Sequence, residues 1–324
     1  MFKTVAGSNR VWKPRCPTQA LTMSELRGVS SNDVAYLEHA RTLARRGWGQ
    51  VHPNPLVGCV IVKDDHVVGE GYHKAFGGPH AEIIALEEAR SRSKGATAYV
   101  TLEPCGHHGK TPPCARALVE AGISRVVFGA RDPGVKSGGG ASLLRDGDVD
   151  VLGPSWSDQV GRAENPAFFH AAIHDSPYVA LKLAVTLDSA IAARPGERTQ
   201  ITGPEANCEV HRLRTGFDAV MVGAGTLRID NPRLTARTAA VGQGNLRRIL
   251  LVPDASISSD AAIFEDSDRN PIHLFVRQDA SRVAMERLEK MGAHISPVGS
   301  STAGLDLDDV LKVCSDLGLH SILC

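Results

Sequence analysis

Four side chains within 35 residues have the types and spacing to activate a water molecule. His80 and Glu82 stand two apart in Pro79-His-Ala-Glu82, and Cys105 and Cys114 follow, the first directly after Pro104. Imidazole nitrogen and cysteine thiolate both ligate zinc well, and three protein ligands leave a fourth position for water, as in a catalytic rather than a structural site. Water on such an ion ionises near neutral pH and becomes a nucleophile. A carboxylate two residues from the His ligand, near a helix start, can ferry the proton. A nucleophile of this kind can attack an amine-bearing ring carbon and expel ammonia. A lone His-x-Glu is a common surface pair, and two cysteines alone could be core thiols. The four together, with Asn54 in the upstream turn His52-Pro-Asn-Pro55, point to one catalytic zinc per chain. His107 and His108 are adjacent and adjacent residues rarely aim at one metal, so substrate contact is their expected role.

These side chains need elements to hold them. His80–Arg92 reads as a helix with Ile83, Ile84, Leu86 and Ala89 apolar, and Cys114–Ala121 as a second helix behind Pro112-Pro113, which disfavours an earlier start. Ser31–Arg46 carries Val34, Leu37, Ala40 and Leu43 at helical spacing, with Ser31 or Asn32 as its cap. Val57–Val62 and His66–Gly71 read as a hairpin joined through Lys63-Asp-Asp65; Ala96–Leu102, Arg125–Gly129 and Val149–Leu152 read as strands. Asp132–Ala141 is Gly-rich and turn-like. Strands alternating with helices imply an α/β sandwich with a partly parallel sheet. The pattern changes around Asn165–Pro177, and Pro177–Ala184 reads as the first strand of a second α/β unit. Further elements are expected at Glu205–Arg214 (helix), Ala219–Val222, Arg248–Val252 and His273–Val276 (strands) and Arg282–Met291 (helix). The expected organisation is a disordered leader, 1–24, a deaminase-type domain, 25–172, and a second domain, 173–324.

Bulk properties fit this reading. At 324 residues, two domains are the default. Lys+Arg and Asp+Glu both total 36, without the basic surplus of a nucleic-acid binder. Seven cysteines without regular spacing do not form a disulfide framework, and no apolar run approaches a membrane span. A cytoplasmic protein with reduced thiols, with no nucleic-acid and no membrane partner, is expected. The first 22 residues carry Lys3, Arg10, Lys13 and Arg15 and no acid; a tail upstream of Met23 is favoured over a transit peptide.

His-x-Glu followed by Pro-Cys-x-x-Cys is the signature of zinc nucleobase deaminases, although here eight residues rather than two separate the cysteines. The motifs His52-Pro-Asn-Pro-Leu-Val-Gly-Cys-Val-Ile-Val62, Gly71-Tyr-His73, Pro79-His-Ala-Glu82, Thr101-Leu-Glu-Pro-Cys105 and His107-His-Gly-Lys-Thr-Pro-Pro-Cys114 resemble the bifunctional riboflavin-biosynthesis deaminase/reductase family. The resemblance runs from about residue 32 to the C-terminus. It implies a cytidine-deaminase-like αβα sandwich followed by a dihydrofolate-reductase-like α/β domain. It also implies hydrolysis of the 2-amino group of 2,5-diamino-6-ribosylamino-4(3H)-pyrimidinone 5′-phosphate, a phosphorylated aminopyrimidine, then NADPH-dependent reduction of the ribosyl group. Asn54 is expected at the pyrimidine edge, and His73, His107 and Lys110 at the ring or phosphate. The family usually has Ser in place of Gly106 and Arg in place of Lys110, and a longer loop than Asp132–Gly140.

The second half resembles the family's reductase through Lys182-Leu-Ala-Val-Thr-Leu-Asp188, Ile201-Thr-Gly203, Leu213-Arg214, Asp218-Ala-Val-Met-Val-Gly-Ala-Gly-Thr226 and Asp230-Asn-Pro-Arg-Leu-Thr-Ala-Arg237. Carried over by position, Thr226 and Asp230 meet NADPH, and Arg214, Leu234 and Arg237 meet the sugar phosphate, where paired arginines are apt. The family's Ser-x-Trp is Arg198-Thr-Gln200 here and its Gly after Leu-Asp is Ser189. The family continues past the position of Cys324 into a Glu-Gly-Gly segment, so the reductase half is expected to lack its C-terminal part. The alternative is a deaminase alone, with the reductase half degenerate or a fragment. The family commonly forms homo-oligomers through its second domain. A nucleic-acid or free-base deaminase is disfavoured by neutral charge and the long insert, and a binding protein with structural zinc by Glu82.

Overall fold

The computed structural model describes residues 28–107, 113–134, 137–237, 246–302 and 304–324. The expected leader, His108 and Lys110 lie outside the described residues.

The first half runs α1 (Ser31–Ala44), β1 (Gly58–Lys63), β2 (His66–Tyr72), α2 (Ala81–Ala89), β3 (Thr97–Leu102), α3 (Cys114–Glu120), β4 (Arg125–Ala130), α4 (Gly140–Asp146), β5 (Asp150–Leu152), α5 (Asp158–Glu164) and α6 (Pro166–Ala171). Its sheet has the order β2-β1-β3-β4-β5. The β1–β2 and β1–β3 pairs are antiparallel, and β3–β4 and β4–β5 are parallel. Strand alternation splits β1 between two cores. Cys59 and Ile61 face the alanine-rich side of α2, while Val60 and Val62 face Leu37, Ala40 and Leu43 of α1. Helices therefore cover both sides of the sheet, as the αβα expectation requires.

Close approach is built in by glycine. A Cβ on Gly58 would lie 1.9 Å from Ala40 O, and on Gly69 and Gly71 it would lie 2.2 Å from Ala85 O and 2.1 Å from Ala81 O. Helix α2 can thus rest directly on β2, which fixes the height of its first turn, where His80 and Glu82 stand.

The cap of α1 is Ser30, one residue before the expected Ser31 and two before the expected Asn32. Asp33, not either of those, completes a capping box by accepting the Ser30 N–H at 3.0 Å. Tyr99 Oη (2.9 Å) and Arg125 Nη1 (2.8 Å) also donate to this buried carboxylate. Burial alone would raise its pKa, but the hydrogen bonds from Arg125, Ser30 and Tyr99 outweigh burial and take it down to about 2.

The second half runs β6 (Tyr178–Ala180), α7 (Pro204–Arg214), β7 (Ala219–Gly223), α8 (Ala224–Asp230), β8 (Arg247–Leu251), β9 (Ile272–Arg277), α9 (Arg282–Lys290), β10 (Ala293–Val298), the hairpin β11 (Ser300–Ser301) and β12 (Gly304–Leu305), α10 (Leu307–Asp316) and β13 (Ser321–Leu323). The sheet order β10-β9-β8-β7-β13-β6 is parallel throughout. The strand expected over Pro177–Ala184 is three residues long, Tyr178–Ala180 pairing with Ser321–Leu323, and one further backbone bond joins Lys182 N to Cys324 O at 2.7 Å. This leaves β6 at an edge of the sheet, and Leu181, Leu183, Leu187 and Ile191 beyond it are exposed.

The halves meet at the loop before β1. Trp48 Nε1 donates to Arg212 O at 3.0 Å, and the Arg212 guanidinium sits 5.2 Å from the centre of the same indole. His52 Nε2 lies 2.8 Å from Asp218 Oδ1, whose Oδ2 accepts the N–H groups of His320 (2.7 Å) and Ser321 (2.9 Å).

Candidate active site

Strand β3 ends at Leu102 and delivers Glu103-Pro104-Cys105 to one end of the sheet, where the first turns of α2 and α3 arrive from the same side. His80 is the extended residue that opens α2, and Cys114 begins α3 after Pro113. The ligand atoms of His80, Cys105 and Cys114 lie within 4.8 Å of one another, and they form the sole His/Cys/Asp/Glu group among the described residues with this geometry. His80 Nδ1 is 3.1 Å from Cys114 Sγ and 3.7 Å from Cys105 Sγ. The Cys114 N–H donates to Cys105 Sγ at 3.3 Å, so a helix start supports a thiolate there. The hydrogen bond with Cys114 holds the Cys105 thiol below its ordinary pKa, while the same contact and burial push Cys114 up. One imidazole and two sulfurs at this spacing fit a three-ligand zinc site.

Glu82 is buried beside them. Burial, then the Cys105 charge, raise its carboxyl to about 7, with the His80 charge opposing. A carboxyl that titrates there can both take and return a proton near neutral pH.

A cavity of about 320 Å³ opens onto His80, Cys105 and Glu82. Its wall includes Asn54, His73 and His107, three of the expected substrate contacts, together with the apolar Val57, Leu102 and Phe168. Both ring nitrogens of His73 are engaged. Nδ1 lies 3.0 Å from Pro79 O, which can only accept, so Nδ1 carries the proton; Nε2 then accepts from Asn54 Nδ2 at 3.1 Å. Burial lowers the His73 pKa, which keeps this neutral tautomer. His73 thus orients Asn54 and leaves the Asn54 carbonyl oxygen for the cavity.

Glu103, Asp132 and Phe168 also line the cavity, and no role was expected of them. Glu103 accepts the N–H groups of Asp132 (3.4 Å) and Ala141 (3.1 Å), and Asp132 Oδ1 accepts from Gly134 N and Ser137 Oγ, both at 2.8 Å. An acid in each of two loops that follow apolar strands was the available signal; for Phe168, distant in sequence, there was none.

Two of the three departures noted in this half, Gly106 and the Asp132–Gly140 loop, are one feature. A Cβ on Gly106 would lie 2.8 Å from Gly140 N and 2.9 Å from Gly138 O, and Gly106 N donates to Ser137 O at 3.1 Å. The Gly-rich loop thus packs on the backbone of residue 106, where the family's usual Ser has no room.

In the second half, Arg214 donates from Nη1 to Thr235 O at 2.8 Å, while its buried Nε has no partner among the described residues. Burial, then the charge of Arg237, lower its pKa, so the two cations lie close enough to repel. Leu234 is buried with φ of 56°, and Thr226 is exposed on α8. Asp230 ends α8, with Arg198 Nε 3.9 Å from its Oδ1.

The profile of the cytidine and deoxycytidylate deaminase zinc-binding region matches residues 30–130, and that of the RibD C-terminal domain matches residues 177–324. The riboflavin biosynthesis protein RibD of Actinobacillus pleuropneumoniae is 37% identical over 295 residues, covering 90% of this chain and 77% of the relative. RibD of Escherichia coli strain K12 is 41% identical over 251 residues, 76% of this chain and 67% of that one. The crystal structure of a diaminohydroxyphosphoribosylaminopyrimidine deaminase/5-amino-6-(5-phosphoribosylamino)uracil reductase from Thermotoga maritima superposes with a TM-score of 0.74 at 34% identity, covering 90% of this chain and 80% of that one.

Proposed function

The chain belongs to the RibD family, and on that premise we propose that residues 25–172 hydrolyse the 2-amino group of 2,5-diamino-6-ribosylamino-4(3H)-pyrimidinone 5′-phosphate and residues 173–324 reduce its ribosyl group with NADPH. The observation that carries the first reaction is the convergence of His80, Cys105, Cys114 and Glu82 at one end of a cavity sized for a small ring.

His80, Cys105 and Cys114 would hold zinc, which when bound would supply the Lewis acidity that makes water nucleophilic near neutral pH. Asn54, fixed by His73, grips the pyrimidine edge, and Val57, Leu102 and Phe168 exclude water from the ring faces. Glu82 takes the proton of the attacking water and returns it to the departing amine, so ammonia leaves neutral. His107, on the cavity wall, meets the outer part of the substrate, and a contact to ring or phosphate is proposed for Lys110 from its position in the motif.

In the second domain Arg214 and Arg237, with the Leu234 backbone, take the sugar phosphate; the unpartnered Arg214 Nε supports an anion there. Thr226 and Asp230 contact NADPH. Arg198, beside Asp230, favours a second reading in which this half no longer binds the dinucleotide. Consumption of NADPH with the deaminated product rejects that reading. We place the assembly as a homo-oligomer joined through the second domain, where Leu181, Leu183, Leu187 and Ile191 are exposed. Sedimentation of a monomer at micromolar concentration rejects it. No described helix is long and apolar enough to cross a membrane, and the proposed compartment is the cytoplasm.

The zinc-loaded protein should release ammonia from the aminopyrimidine phosphate, and Glu82→Gln should abolish turnover with one zinc per chain retained. Metal lost together with activity would assign Glu82 a structural role instead.

A further inference from the structure

The loop that carries Asn54 is held from three sides. At its start, Trp48 is fixed to the second domain by its hydrogen bond to Arg212 O, by the Arg212 guanidinium and by the edge of Phe217, whose ring centre is 6.4 Å away. Gly216 is pressed against the indole: a Cβ there would lie 2.2 Å from Cζ2 and 2.4 Å from Cε2. At its end, the side-chain amide of Asn165 bonds both backbone groups of Leu56, accepting from N at 2.7 Å and donating to O at 3.1 Å. Between these points the loop is a chain of tight turns, Gln50 N to Gly47 O and Asn54 N to Val51 O, and Gln50 O also holds the N–H of Phe76 at the cavity wall.

A segment tied this way moves as a unit. Displacement at Trp48 is passed through two turns to Asn54 and through Gln50 to Phe76, because Val51 between them is buried and cannot absorb it. His52, two residues before Asn54, meets the second domain again at Asp218.

We propose that the second domain has a role apart from its own chemistry: its 212–218 turn, through Trp48 and His52, is the positioning element that sets Asn54 in the cavity of the first domain. The inference rests on the reading of that cavity as the aminopyrimidine site. Asn54 binds the ring without taking part in bond making, so misplacing it weakens substrate and transition state together and acts on KM rather than kcat.

The test is the pair of substitutions Gly216→Ala and Trp48→Phe, alone and combined, with Asn54→Ala beside them. Ammonia release, zinc content and thermal melting are measured on the full chain. Gly216→Ala should raise the deaminase KM about tenfold, the equivalent of about 1.4 kcal/mol, with kcat within about twofold and zinc retained. Trp48→Phe removes both the indole atoms that the new methyl meets and the bond to Arg212 O, so it should raise KM by itself. The double variant should raise KM by less than the two single changes combined, a coupling that two independent structural defects do not show. Should Gly216→Ala fail to fold, Trp48→Ala reads the same contact. An unchanged KM in the seam variant, with a raised KM in Asn54→Ala, overturns the coupling and leaves the cavity reading intact. An unchanged KM in Asn54→Ala removes the cavity reading and the coupling with it. A KM rise accompanied by zinc loss or collapse of kcat also rejects the coupling, since it marks a general loss of structure.

Discussion

A charge buried on the first helix shows how one side chain organises several elements. Asp33 joins the cap of α1 to Tyr99 on β3 and Arg125 on β4, and those contacts hold its pKa near 2, below the ordinary 3.8. A carboxylate with a depressed folded pKa contributes stability above its unfolded pKa and loses it as pH falls through the folded value. Asp33→Asn should therefore cost about 2 kcal/mol at neutral pH, typical for lost hydrogen bonds to a charge. The difference from the parent protein should shrink between pH 4 and pH 2 in urea unfolding; a pH-independent gap refutes the linkage. The convergence of His80, Cys105 and Cys114 was legible in the sequence at this scale, because ligand types and spacing carry chemistry locally. The role of His73 was not: it depends on Pro79 O and Asn54 occupying its two nitrogens, which no spacing reveals.

Among the elements, the contact of α2 with β2 sets the site most directly. Gly71 lies against Ala81 O, the residue between His80 and Glu82, so any Cβ there pushes the helix start that presents both. Overpacking of this kind costs about 1–3 kcal/mol. Gly71→Ala should lower the melting temperature and also weaken zinc retention against a chelator; unchanged zinc affinity would show that the helix start yields without moving His80. The long apolar strands and α1 were readable from their periodicity. The short elements α5, α6, α8 and β13 were not, because three to seven residues hold too few turns or alternations to display a period. Pro177–Ala184 misled for the opposite reason: its residue types suit a strand throughout, yet only Tyr178–Ala180 form one, because pairing depends on a partner distant in sequence.

At the scale of the whole molecule, two sheets share no strand and their apolar clusters are separate, so each half has its own core. Stripping zinc should abolish ammonia release and lower the first-domain melting transition while NADPH-dependent reduction of deaminated substrate continues; simultaneous loss of both activities contradicts separate cores. The α/β class of each half was visible from alternation, but the seam was not, since Trp48 and Gly216 are 168 positions apart and neither belongs to a motif. That seam also imposes a timetable. Every zinc ligand lies between residues 80 and 114, and the first sheet is complete at Leu152. A nascent chain can therefore capture its metal while the ribosome is still making the second domain. The contacts that steady Asn54 come only with residues 212–218, and the strand that braces Asp218 with residues 320 and 321. Metal loading and substrate grip thus arise at different moments in the life of the polypeptide, and a half-made chain holds zinc before it can hold its pyrimidine.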